Sequence, residues 1–341
     1  MNDTTILIIY TGGTIGMIKD HETGLLKPFN FDNLYSYIPV LKDFNYNIEA
    51  VSFDPLIDSS NINPSHWAKL VEIIFENYES YDGFVVLHGS DTMAYTASAL
   101  SFMLENLNKP VIITGSQLPL GELRTDGREN FITAVEIAAS KIDDTPVVPE
   151  VCVYFENRLY RGNRTYKFNA ENFNAFVSGN YPVLADAGMN LKFYHERILK
   201  PNFKKLKTHY DFSNDIAILK LFPGMSENYI NAILNIDGLR AVILESFGSG
   251  NATTESWFLD KLQSSISAGL LVINVTQCLS GSVDMTKYET GKRLLDIGVI
   301  SGKDITTAAA LAKLMMLLAE YSDKEIIIEK FNKVFCGEFS E

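Results

Sequence analysis

Two short runs constrain the fold of this 341-residue chain more than any other feature. Thr4-Thr5-Ile6-Leu7-Ile8-Ile9-Tyr10 and Gly83-Phe84-Val85-Val86-Leu87 are dominated by β-branched and apolar residues. Such runs, without polar alternation, read as strands buried on both faces, the kind found in parallel sheets covered by helices. Each run ends in a loop loosened by glycine and rich in hydroxyls. Thr11-Gly12-Gly13-Thr14-Ile15-Gly16 follows the first, and His88-Gly89-Ser90-Asp91-Thr92 follows the second. Both loops are therefore expected at strand carboxyl ends, where open α/β sheets bind their ligands.

Strand-like runs alternate with helical periodicity from residue 1 to about 180, the signature of a doubly wound sheet. After Leu87, residues 92–107 place Met93, Ala97, Leu100, Leu104 and Leu107 at helical spacing, with Asp91 positioned as the N-cap. Lys109-Pro110 then stops the helix, and Val111-Ile112-Ile113-Thr114-Gly115-Ser116 opens the next strand and loop. Residues 190–211 lose the pattern, become basic and carry Pro201, as a linker would. Beyond them Ile216-Ala217-Ile218-Leu219, Ala241-Val242-Ile243-Leu244 and Leu270-Leu271-Val272-Ile273 read as parallel strands, with residues 226–234 and 253–265 as crossovers. Residues 306–320 form an apolar helix whose Met315-Met316-Leu317-Leu318 cluster reads as core. With 46% apolar residues the chain can bury two cores. The expected fold class is α/β in two domains. A larger N-terminal domain, residues 1–190, holds a doubly wound, mostly parallel sheet, residues 191–212 link, and residues 213–341 form a smaller parallel α/β domain.

A formal net charge of −13 argues against a nucleic-acid partner, because phosphate binding relies on clustered Lys and Arg. The only basic run, Lys204-Lys205-Leu206-Lys207, reads as a solvated loop. The amino terminus enters a strand pattern without the basic and apolar regions of a signal peptide, and no stretch nears ~18 uninterrupted apolar residues. No membrane association is expected, and the location expected is cytoplasmic. Cys152, Cys278 and Cys336 are odd in number and widely spaced, which suits a reducing compartment. The histidines at 21, 66, 88, 195 and 209 show no metal-ligand spacing, so no metal is expected.

The first loop offers two hydroxyls, Thr11 and Thr14, on a backbone able to approach a ligand closely. Its spacing is G-G-x-x-G, neither dinucleotide fingerprint nor P-loop, so no nucleotide cofactor is expected. In the second loop Ser90 and Asp91 are adjacent at a helix start. Asp91 could fix a water, hold a substrate amine or accept from a lysine, and equally the pair could simply cap the helix. Asp58-Ser59-Ser60-Asn61 is a third polar loop, suited to a substrate carboxylate or to an ordinary Asx or ST turn. Pro64 after it is a helix-start signal. Tyr160-Arg161-Gly162-Asn163-Arg164-Thr165-Tyr166-Lys167 reads as a basic surface turn unless folding carries Lys167 to Asp91.

T-G-G-T-I-G at 11–16, G-F-V-V-L-H-G-S-D-T-M-A-Y-T-A-S-A-L at 83–100, P-V-I-I-T-G-S-Q at 110–117, R-G-N-R-T-Y-K at 161–167 and T-Q-C-L-S-G at 276–281 resemble, in this order, the bacterial-type L-asparaginases. G-S-Q, the R-G-N-R-T block and the missing signal peptide look like the cytoplasmic type I branch. The resemblance implies an amidohydrolase that converts L-asparagine to L-aspartate and ammonia, with no metal or organic cofactor. Its sites would form between subunits of a homodimer or homotetramer. Carried over by motif, Thr14 is the nucleophile that forms a β-aspartyl ester, and Ser90, Asp91 and Lys167 form a second hydroxyl–carboxylate–amine group. Ser59, with Asp58 beside it, binds the substrate α-carboxylate, and Asp91 holds the α-amino group. Asn251 of G-S-G-N reaches the site from the neighbouring chain, and Ser60, Gly89 and Ser116 complete the substrate-binding set. Splitting amide hydrolysis into acylation and deacylation needs a proton acceptor for the hydroxyl and donors for the oxyanion, each worth ~3 kcal/mol. The N–H groups of the Gly89-Ser90 turn fit the donor role. A neighbouring anion favours the ammonium of Lys167, so its assigned role is electrostatic and proton-relaying.

Three departures from the family pattern matter. Ser90 stands where threonine is usual; the hydroxyl is kept and a methyl worth ~0.8 kcal/mol is lost. Residues 17–27 contain no tyrosine, and Leu25 or Leu26 occupies its place, so Tyr288 of Thr286-Lys287-Tyr288-Glu289 is expected to supply the activating hydroxyl. Against that stands a tyrosine merely buried between domains. Glu245 replaces an arginine that serves an allosteric asparagine site in some type I enzymes, which predicts weak or absent cooperativity. A dual asparaginase–glutaminase, an amidotransferase subunit and a non-catalytic small-amide binding protein are the competing readings.

Overall fold

In the computed structural model, which describes residues 4–19, 26–28 and 38–340, the run Thr4–Tyr10 (β1) lies inside a sheet of eight strands. The others are Tyr46–Ser52 (β2), Gly83–Leu87 (β3), Val111–Thr114 (β4), Val151–Phe155 (β5), Arg158–Arg161 (β6), Ala185–Ala187 (β7) and Leu191–Phe193 (β8). Their order is β8-β7-β6-β5-β4-β3-β1-β2. The first five strands pair in parallel and the last three add antiparallel pairs at one side. Helices Pro64–Glu76 (α1), Met93–Met103 (α2) and Gly127–Ala139 (α3) make the crossovers into β3, β4 and β5. All residues of β3 and β4 are buried, as expected for strands covered on both faces. On one face Phe131, Ala134 and Val135 of α3 share a core with Ile6, Ile8, Val85 and Leu87.

The parallel strands run 2-1-3-4-5, so strand order reverses between β1 and β3, where this topology opens its ligand crevice. The carboxyl ends there are level: Tyr10 faces Leu87, and Leu87 faces Thr114.

Two expectations are corrected. The helix after β3 ends at Met103, not 107, because Leu104–Glu105 turns out to pair with Lys207–Thr208, and Asn106 follows with φ 64°. Its N-cap is Thr92, and no side chain caps it. The residues read as linker are also structured. Leu191–Phe193 is the edge strand β8, Asn108 Oδ1 accepts from the N–H groups of Asn202 and Phe203 at 2.8 and 2.9 Å, and Glu105 pairs with Lys207 and His209. The chain accordingly divides into units Met1–Tyr210 and Asp211–Glu341.

The second unit is a parallel sheet in sequential order, Ile216–Lys220 (β9), Ala241–Ser246 (β10), Leu271–Thr276 (β11) and Ile300–Ser301 (β12). Helices Glu227–Leu234 (α4), Ser256–Ser267 (α5) and Glu289–Asp296 (α6) make the crossovers, followed by Thr307–Glu320 (α7) and Lys324–Phe331 (α8). Met315, Met316, Leu317 and Leu318 are core, as their pattern suggested. Lys313 on the same helix is also fully buried, and its Nζ donates to Glu338 Oε1 at 2.5 Å and to the Phe331 carbonyl at 2.9 Å. Burial of that charge is tolerable because its partner is buried with it.

Candidate active site

The loop after β1 can sit at the rim only because it is built on glycine. Gly12 has φ 136° and a Cβ there would lie 2.1 Å from the Ile57 carbonyl oxygen; Gly13 has φ 90° and a Cβ would lie 2.6 Å from Gly89 Cα. The first and second loops are thereby in backbone contact. Their hydroxyls are not equivalent. Thr11 is buried and its Oγ1 donates to the Leu87 carbonyl at 3.0 Å, so it ties β1 to β3. Thr14, on the 3-10 turn Thr14–Gly16, is half-buried at the rim.

Asp91 does not cap α2; its carboxylate receives a short hydrogen bond from Lys167 Nζ. The same ammonium donates to Ser90 Oγ at 2.9 Å. The lysine arrives from Tyr166–Lys167, and the block before it is not the surface turn its composition suggested. Arg161 and Arg164 are buried; Arg161 Nε bonds Glu150 Oε2 at 2.7 Å, and its guanidinium lies 4.2 Å from the centre of the Tyr181 ring. Gly162 lets this segment close on α2, where a Cβ would meet Ala97 Cβ at 3.0 Å. The buried arginines form an anchor from which Lys167 reaches the second loop.

Ser59 is buried against Gly89: a Cβ on Gly89 would lie 2.5 Å from Ser59 Oγ. Thr92 Oγ1 donates to the Ser59 carbonyl at 2.7 Å. Asp58 is exposed and accepts from Ser60 N at 2.9 Å and Ser60 Oγ at 2.8 Å, an Asx turn that holds its carboxyl below the usual range. The Ser60 hydroxyl is thus committed to Asp58. That of Ser116 is committed likewise, donating to the Leu118 carbonyl at 2.6 Å.

Asn251 and Tyr288 belong to the second unit. Asn251 follows Gly250, whose φ is 105° and whose carbonyl accepts from the buried Asn274 Nδ2 at 3.0 Å. Its Oδ1 accepts from Thr290 Oγ1 at 2.6 Å. Tyr288, two residues before Thr290, is 53% exposed. Leu25 lies outside the described residues. Among the described residues no three His, Cys, Asp or Glu side chains gather as a metal ion would require.

One residue of the second loop escaped the motif reading. His88 is fully buried, and burial pushes its imidazole down to about 4, so the ring is neutral. Its Nδ1 lies 2.6 Å from the Gly89 carbonyl oxygen and its Nε2 2.9 Å from Thr96 Oγ1, which also accepts from Trp67 Nε1 at 3.0 Å. A histidine beside a glycine is the only hint of this in the sequence.

Comparison with known proteins matches residues 5–199 to the family model "Asparaginase, N-terminal" and residues 215–331 to "Glutaminase/Asparaginase C-terminal domain". L-asparaginase 1 of Escherichia coli K12 is 41% identical over 100% of this chain and 99% of its own length. The 60 kDa lysophospholipase of Mus musculus is 39% identical over 92% of this chain, a match covering 58% of that protein. Among solved structures, L-asparaginase I of Vibrio cholerae superposes with a TM-score of 0.88 at 40% identity, covering 99% of this chain and 100% of that one.

Proposed function

This chain belongs to the asparaginase family, and from that premise we propose that it is an L-asparaginase acting through a threonine acyl-enzyme. The observation that carries the mechanism is the Lys167 ammonium bonded at once to Ser90 Oγ and the Asp91 carboxylate, across a Gly13–Gly89 backbone contact from half-buried Thr14. Thr14 Oγ1 attacks the side-chain amide carbon, and the C–N bond breaks as the nitrogen gains a proton and leaves as ammonia. Water then cleaves the β-aspartyl ester with Ser90, Asp91 and Lys167 managing its proton. Ser59, with Asp58 beside it, receives the α-carboxylate and Asp91 the α-ammonium. The assay that tests this is ammonia release from L-asparagine and L-glutamine in parallel. Asparagine should be the faster substrate, and no release from either would overturn the reading. Comparable rates on both would instead favour a dual asparaginase–glutaminase, since one methylene changes discrimination by only ~1–3 kcal/mol.

The same proposal includes a homodimer or homotetramer in which Asn251 serves a neighbouring site, and a cytoplasmic location. No described helix is long and apolar enough to cross a membrane.

Tyr288 of the second unit is the tyrosine we assign to Thr14 activation. Tyr288→Phe should lower kcat by about two orders of magnitude, as loss of an acid–base group does; near-normal turnover would contradict the assignment. Glu245 is engaged locally, its Oε1 accepting from Thr307 Oγ1 at 2.7 Å and its Oε2 lying 3.7 Å from Lys220 Nζ. An anion at this position repels a second asparagine carboxylate, so initial rates should follow a hyperbola in asparagine concentration. A clearly sigmoidal curve would overturn that.

A further inference from the structure

Three glycine–hydroxyl pairs line the rim beyond β1, β3 and β4: Gly13-Thr14, Gly89-Ser90 and Gly115-Ser116. In all three the glycine carbonyl is bonded by a buried side chain. Tyr10 Oη donates to the Gly13 oxygen at 3.2 Å, His88 Nδ1 lies 2.6 Å from that of Gly89, and Asn130 Nδ2 donates to that of Gly115 at 2.9 Å. These peptides are trans, the sole cis bond among the described residues being Asp54-Pro55. In a trans peptide C=O and N–H point in opposite directions. A carbonyl drawn into the core therefore turns the following N–H, that of Thr14, Ser90 or Ser116, away from it.

His88 makes the tightest of the three contacts, and its protonation pattern follows from its partners. A carbonyl oxygen only accepts, so Nδ1 carries the ring proton and Nε2 is bare. Thr96 Oγ1 then donates to Nε2 and takes the Trp67 indole proton on its lone pair. This relay, from α1 through α2 to the loop, leaves the ring one satisfied tautomer. The ring also lies fully within the core, and its contact with the second loop is to the Gly89 carbonyl of the Gly89-Ser90 peptide.

We propose that His88 is a positioning residue for acyl transfer: as the Nδ1–H tautomer it locks the Gly89-Ser90 peptide so that the Ser90 N–H meets the oxyanion formed on the substrate amide. The assignment rests on the acyl-enzyme reading above. Oxyanion donors act through preorganised direction, and loss of one costs ~10²–10³-fold in kcat. A donor free to rotate loses that advantage while ground-state binding through Ser59 and Asp91 persists.

The test compares His88→Asn, whose Nδ2 can replace Nδ1 as donor, with His88→Leu, which fills the space without one. His88→Leu should lose ~10²-fold in kcat, with KM and inhibition by L-aspartate moving less than about threefold, whereas His88→Asn should regain most of kcat. Equal impairment of both variants, or near-normal kcat in His88→Leu, would overturn the proposal. Should His88→Leu fail to fold, histidine-selective 15N spectra of the wild-type protein still decide. With His88 identified by its loss in His88→Asn, they should show a protonated Nδ1 and bare Nε2 at neutral pH, and an Nε2–H tautomer would refute the relay. Absence of wild-type turnover on asparagine and glutamine would instead remove the acyl-enzyme reading, a failure the tautomer measurement separates from its own.

Discussion

Thr14→Ala should abolish asparagine hydrolysis, with kcat falling at least ~10⁴-fold, the scale on which removal of a covalent nucleophile acts. The argument is one of elimination between two hydroxyls on one loop. Thr11 Oγ1 is spent on the Leu87 carbonyl and buried, so its loss would weaken the β1–β3 rim. Thr14 is half-buried, and no side chain caps its turn. The substitution should therefore leave Tm nearly unchanged, a stability effect within about 0.5 kcal/mol being usual for a site of this kind. Thr14→Ser keeps the hydroxyl but loses the χ1 stiffness of a β-branched side chain, so it should recover a substantial part of the lost rate. Hydroxylamine gives a second readout: an acyl-enzyme partitions to aspartyl hydroxamate, and Thr14→Ala should form none. Ammonia release by Thr14→Ala within tenfold of wild type would move the nucleophile elsewhere.

The parts of this site legible in the sequence are those that local physics controls. Ile6–Ile9 and Phe84–Leu87 are apolar without alternation, and that marks them as doubly covered strands whose ends carry the Thr14 and Ser90 loops. Pro64 marks a helix start and appears at the first position of α1, with Asn63 as cap. What escaped depends on partners distant in the chain. Leu104 continues the helical period, yet its strand pairing with Thr208 prevails. Asp91 has the right type and place for a cap as well as for a lysine partner, and local sequence leaves the two open; only the family resemblance paired it with Lys167, 76 residues later, which takes its carboxylate. The R-G-N-R block looks like a solvated turn because nothing local shows Glu150 and Tyr181 waiting for Arg161. Local propensity thus erred most where the site is assembled, since a functional cluster is held by tertiary contacts that override it.

Lys167→Met should lower kcat by ~10²–10⁴-fold, the range for removing a group that manages protons in the transition state, while costing little stability. Both halves follow from the pair's geometry. The Asp91 side chain is 64% exposed and that of Lys167 17%, so solvent screens the ion pair and its stability contribution is ~0–1 kcal/mol. Chemically the ammonium is less replaceable. Ser90 Oγ accepts one of its protons, which leaves the serine's own hydrogen to be directed at water or the leaving nitrogen. Without Lys167 that hydroxyl can rotate, and the site loses the positive charge that faces Ser90 Oγ when the ester is attacked. Methionine preserves the length and apolar stem, so the loss is one of charge and donors rather than packing. On the proposed role of Asp91 as the holder of the α-ammonium, KM should change only a few-fold, whereas Asp91→Ala should raise KM steeply as well as lower kcat. Lys167→Arg should rescue poorly, since the larger planar guanidinium, with its donor directions fixed, does not fit the place of the compact ammonium between Ser90 Oγ and the Asp91 carboxylate. A Lys167→Met enzyme with wild-type kcat would confine the lysine to tethering Asp91 and overturn its proposed part in proton transfer.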